Sequence, residues 1–190
     1  TYGDQAFTNA ATNNTSGGGG AITYSSSDEN VATVDANGQV TIVGAGTATI
    51  TATAAAVEGY AETPASYTLT VNPKEITATA TVQDKTYDGT TAAEAAVTFD
   101  GLVSGESLTE DADYTVEAVF ADADAGENKN VNVTITLLNK NYKLDGTPIT
   151  ATATISKATL PGMNTTLLME QTASFKRALD LSTVAGLPEG

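Results

Sequence analysis

Residues 22–54 read ITYSSSDENVATVDANGQVTIVGAGTATITATA, and their spacing decides the fold class. In residues 47–54, Ala48, Ile50, Ala52 and Ala54 alternate with Thr47, Thr49, Thr51 and Thr53, a period of two that places the apolar set on one face of a strand. Upstream, ITYSS, VATVD and QVTIV are further short strands, and Asp35-Ala36-Asn37-Gly38 between the last two is a hairpin turn, because Asn and Gly both tolerate φ > 0. Asp35 is expected to bond back onto its own backbone in an Asx-type turn. Asp28, Glu29 and Asp35 do not read as a cation site. A hard ion needs about six or more converging oxygens, whereas Asp28 and Asp35 sit at opposite ends of the VATV strand.

Outward from this stretch, the 190 residues are 41% hydrophobic and rich in Thr, Val and Ile, with no long run at helical spacing, so the expectation is an all-β chain of two small modules. There is no Cys and no His, which excludes Cys-His zinc sites, Cys-His and Ser-His catalytic pairs and disulfides. The formal net charge is -15, and the first positive side chain is Lys74. Such a field repels phosphate backbones and anionic lipid, so neither nucleic acid nor membrane insertion is expected. No apolar run approaches the length of a membrane span, and the opening TYGDQAF lacks the basic start of a signal peptide. The chain reads as a piece from the middle of something longer.

The first module spans 1–72. Pro73 breaks pairing because it has no N–H, and an alternating strand starts at Ile76, which sets a second module at 73–157. Within it, Val131, Val133, Ile135 and Leu137 alternate with Asn and Thr, as do Ile149, Ala151, Ala153 and Ile155 with Thr. Residues 158–190 carry much apolar surface for so short a piece and read as the start of a truncated third module, docked on the second module or on a neighbouring molecule.

The motif S-S-D-E-N-V-A-T-V-D-A-N-G-Q-V, followed by G-A-G-T-A-T-I-T-A, resembles a bacterial immunoglobulin-like group 2 domain over about 33 positions. The resemblance implies an Ig-like β-sandwich from a bacterial surface or secreted protein, commonly arrayed in tandem and frequent in adhesins of the invasin and intimin type. TYGDQAFT leaves little room for that family's usual first strand, so an exposed sheet edge is expected. Residues from about 74 to 157, with Tyr87-Asp88-Gly89-Thr90 near the start and NYKLDG near the end, resemble the YDG domain of large bacterial surface proteins.

Each chemical reading has a plainer rival. Asp88-Gly89 is expected to make a turn, with Tyr87 capping the core. Asp122-Ala123-Asp124-Ala125-Gly126-Glu127-Asn128 begins like a calcium loop, yet its glycine comes one place early and the closing twelfth position is Val133, so a polar hairpin loop is expected. Glycoside chemistry would need a carboxylate pair in a cleft with sugar platforms, and there is no Trp. Tyr2, Tyr24, Tyr60, Tyr67, Tyr114 and Tyr142 are scattered among strands and read as packing residues. The expectation is therefore tandem Ig-like antiparallel β-sandwiches with no catalytic, metal or cofactor residues. They would serve as an extracellular structural spacer whose partners are neighbouring modules of the same polypeptide. The alternatives are a module binding a host glycan or protein, and an accessory domain of a large secreted hydrolase.

Overall fold

The computed structural model describes residues 1–13 and 19–159, and the third module expected at 158–190 lies outside the described residues but for its first two. Among the described residues every regular element is a strand. The first sandwich contains β1 (Phe7–Thr8), β2 (Ile22–Ser26), β3 (Ala32–Val34), β4 (Gln39–Ile42), β5 (Gly46–Ala54) and β6 (Thr63–Val71). They form two sheets, ordered β1-β4-β3 and β2-β5-β6. The decisive alternating stretch is β5, the central strand of its sheet, paired with β2 through Tyr24↔Ala52 and with β6 through Ile50↔Tyr67. Its apolar face delivers Ala48 and Ile50 to the interior, where Val31 and Val71 join the first and Ala32 and Val40 the second.

The expected hairpin is β3–β4, in register Val34↔Val40. Asp35 Oδ1 accepts from the backbone N–H of Asn37 at 2.9 Å and of Gln39 at 2.8 Å, which is the Asx turn. Of the Asn-Gly pair, only Gly38 has positive φ, at 76°. Asp35 and Gln39 still exchange a backbone bond, so the connection is a three-residue loop with a left-handed glycine bulge. The missing first strand is in fact present. Phe7 and Thr8 pair with Val40 and Gln39, covering part of the edge expected to be bare.

Two residues, Asn72 and Pro73, lead into the second sandwich: β7 (Lys74–Val82), β8 (Lys85–Thr86), β9 (Ala95–Asp100), β10 (Tyr114–Phe120), β11 (Gly126–Leu137), β12 (Tyr142–Leu144) and β13 (Thr150–Ser156). Its sheets run β12-β7-β9 and β10-β11-β13-β8. Phe120, Val131, Ala153 and Ile155 form its buried centre, and Phe99 meets Tyr114 edge-on at 4.9 Å nearer the first sandwich. Two short pairings, β12 with β7 and β13 with β8, are parallel rather than antiparallel. In each, a strand interior to its sheet gains a partner on its second side.

Candidate functional site: the interdomain joint

The chain both enters and leaves the first sandwich at one place. The Tyr2 N–H donates to the Asn72 carbonyl at 2.9 Å, beside the linker. From there the Tyr2 ring lies edge-on against Tyr142 of the second sandwich, centroids 5.5 Å apart at 89°. Glu106 ties the two rings together. Its carboxylate accepts from the Tyr2 hydroxyl at 2.6 Å and, through the other oxygen, from the Tyr142 hydroxyl. The Val103 N–H in turn donates to the Tyr142 oxygen at 3.1 Å, so this buried phenol has a donor and an acceptor. Burial, followed by the bond to Glu106, pushes the Tyr142 hydroxyl up to about 12. The Glu106 bond, followed by burial, raises Tyr2 in the same direction.

Asn141, next to Tyr142, makes a second bridge. Its backbone carbonyl accepts from the Lys74 N–H at 2.8 Å, and its side-chain oxygen accepts from the Ala45 N–H of the first sandwich, also at 2.8 Å. Close approach requires Gly44: a Cβ there would lie 2.5 Å from the Asn30 carbonyl and 3.2 Å from Asn141 Oδ1. The bonds across the joint link residues 104 and 96 positions apart, Tyr2 to Glu106 and Ala45 to Asn141. No local pattern marks such pairs, which is why sequence reasoning missed Glu106, Asn141 and the role of Tyr2.

The motifs that sequence did single out lie elsewhere. Asp28, like Asp35, holds its own turn, accepting from the Asn30 N–H at 2.9 Å. The Tyr87–Thr90 loop lies at the far end of the second sandwich, where Lys85 organises it. The Lys85 ammonium donates to Thr90 O, Thr90 Oγ1 and Ala92 O at 2.9–3.1 Å and pairs with Asp88 at 2.9 Å. Lys85, then the Thr90 N–H and hydroxyl, hold the Asp88 carboxyl down at about 2. Gly89 has φ 79°, as the turn reading requires. Tyr87 does not cap the core: its ring is 46% exposed, because its N–H bonds Ser156 O at the sandwich rim. Of the Asp122–Asn128 stretch, Asp122 to Ala125 lie in the hairpin loop that joins β10 to β11 and Gly126 to Asn128 already belong to β11, and Asp122 is ion-paired with Lys129, the protein's own cation.

The tyrosines divide by role. Tyr114 and Tyr142 are buried, whereas Tyr60 is 52% exposed. Tyr60 borders an open groove of about 380 Å³, floored by Ile22, Ala52, Ala54 and Ala65, at the end of the first sandwich away from the joint.

Comparison with family models finds the description "Intimin, immunoglobulin-like domain" over residues 6–56 and "YDG domain" over residues 72–151. No curated protein matches the chain. The first match covers β1 to β5, the second runs from the linker into β13, and the Tyr2–Glu106–Tyr142 bridge spans the two sandwiches. Residues 6–56 are therefore an intimin-type immunoglobulin-like domain and residues 72–151 a YDG domain.

Proposed function

We propose that this chain is a structural spacer of a bacterial surface protein, exported from the cell, in which the joint holds two sandwiches in one fixed relation. The observation that carries the reading is the double bridge at the joint: Tyr2 and Tyr142 share the Glu106 carboxylate, and Asn141 reaches back to Ala45. A two-residue linker alone leaves hinge freedom, but two bridges beside it, one through Tyr2 and one through Ala45, restrict that freedom. The domain types support a bacterial surface-type setting. The net charge of -15 favours solubility and discourages modules from collapsing onto one another. No catalysis is assigned to the chain.

The test exploits the absence of Cys, which makes introduced cysteines unique labelling sites. Dyes at Asn37→Cys, in the hairpin remote from the joint, and at Thr86→Cys, at the far end of the second sandwich, should report one narrow distance distribution. A broad distribution would reject the fixed-joint spacer. A second reading, a binding module for a host glycan or protein, draws on the groove beside Tyr60. It predicts that glycans or peptides perturb Tyr60 and Ala52 in NMR titrations and that Tyr60→Ala abolishes the effect.

A further inference from the structure

We infer that residues 1–9 form a strap that ties the joint and is the first element to yield under tension, freeing the two sandwiches to turn and bringing the first into series with the second. The inference goes beyond the spacer reading and rests on how each terminal strand is held. The strap is held in two regions, at the joint, where Tyr2 also packs against Val31 and Val71 of the first sandwich, and along β1. Tyr2 fills the joint, and β1 adds two register pairs, Phe7↔Val40 and Thr8↔Gln39, extended by one bond from the Asn9 N–H to Gly38 O. β1 is an edge strand with a single neighbour.

Direction matters as much as number. β1 runs away from the joint, from Tyr2 toward the Gly38 turn, so its leading end is already beside the second sandwich. A pull on Thr1 directed away from the second sandwich folds this strand back on itself, and its bonds break one after another. It also draws Tyr2 straight off Tyr142 and Glu106. Until that happens, load passes from Tyr2 to Tyr142 and Glu106 across the joint and to Val31, Ala48 and Val71 at the joint end of the first sandwich, so little of it runs the length of that sandwich.

The second sandwich is loaded differently. Its first strand, β7, starts at the joint and its last, β13, ends at the opposite end, so a pull slides both along their axes. Each is interior to its sheet: β7 makes six register pairs with β9 and three with β12, and β13 is flanked by β11 and β8. Bonds perpendicular to the load must then fail together. Once the strap is off, the first sandwich resists in a similar way through β2 and β6, whose ladders with β5, of five and nine pairs, are intact. The strap is therefore the weak link, and its loss removes the Tyr2 half of the joint while leaving Asn141 to Ala45.

The experiment is magnetic tweezers on the full chain, with handles on cysteines added before Thr1 and after Gly190. The expected result is a reversible lengthening greater than about 3 nm, the reach of nine released residues, because the span of the first sandwich from the joint to residue 10 is added to it, below the force at which either sandwich unfolds. Tyr2→Ala should lower the force of that step, and Tyr2→Phe, which keeps the ring contact but loses the Glu106 bond, should fall between. Moving the first handle to Ala10→Cys should abolish the step while the two large unfolding events remain. Absence of the step with terminal handles, or its persistence with the handle at position 10, overturns the inference. The dye pair described above separates the two proposals: a broad wild-type distribution defeats the fixed joint, whereas a narrow distribution unchanged by Tyr2→Ala defeats the strap.

Discussion

Two glycines of the first sandwich offer a matched pair of substitutions. Gly38 and Gly59 have nearly the same backbone, φ 76° and 83°, but different surroundings. A Cβ on Gly59 meets nothing within 4 Å, whereas one on Gly38 would lie 3.0 Å from both Ala10 Cα and the Tyr24 ring and 3.1 Å from Asn9 O. Gly59→Ala should therefore cost only the left-handed strain of an L-residue, about 1–2 kcal/mol. Gly38→Ala adds overpacking against backbone that cannot swing aside, about 1–3 kcal/mol more. At roughly 4–8 °C per kcal/mol for a domain of this size, Gly59→Ala should lower the transition of the first sandwich by about 4–16 °C and Gly38→Ala by about 8–40 °C. Calorimetry reads the loss, and the transition of the second sandwich should stay in place in both variants. Equal losses from the two substitutions would refute the argument that the strap and Tyr24 are packed on the hairpin glycine.

Acid should act on the second sandwich through Asp88. Its carboxyl is held at about 2 against an ordinary 3.8, so the stabilisation is present above pH 4 and lost as pH falls toward 2. Asp88→Asn should flatten that part of the melting-temperature profile, and a carbon-detected titration of Asp88 reads the pKa directly. Alkali should act on the joint through Tyr142. Raised to about 12 from 10.0, its phenol contributes stability that is complete below pH 10 and disappears as pH rises through 12. Phenolate absorbance should show late-titrating tyrosines, and Glu106→Gln, which removes the carboxylate's bond and charge, should move Tyr142 and Tyr2 back toward 10.

Much of the fold was legible locally. The Ala/Thr alternation of residues 47–54 specified a strand with one buried face, since side chains of a strand alternate by geometry alone. The Asp35 turn followed from an acceptor two residues from its donor. The Asp28 and Asp122 groups were read as turn makers because their spacing lacked converging oxygens, and each carboxylate indeed bonds within its own loop. The Tyr87 ring was misplaced because exposure depends on what lies across the rim, and β1 was missed because two residues carry no period.

What residues 1–159 determine by themselves is set by short-range chemistry: strand periodicity, turn acceptors, the proline break at the linker and the charge that keeps the surface solvated. The joint is of another kind. Tyr2, Ala45, Glu106 and Asn141 have no shared spacing, and each is an ordinary residue where it stands in the chain. They meet because β6 runs through Asn72 and Pro73 into β7, which brings the loops around Val103 and Asn141 beneath the first sandwich. Contacts between residues about a hundred positions apart exist only once both sheets have closed, so tertiary structure alone decided how the two sandwiches are held together.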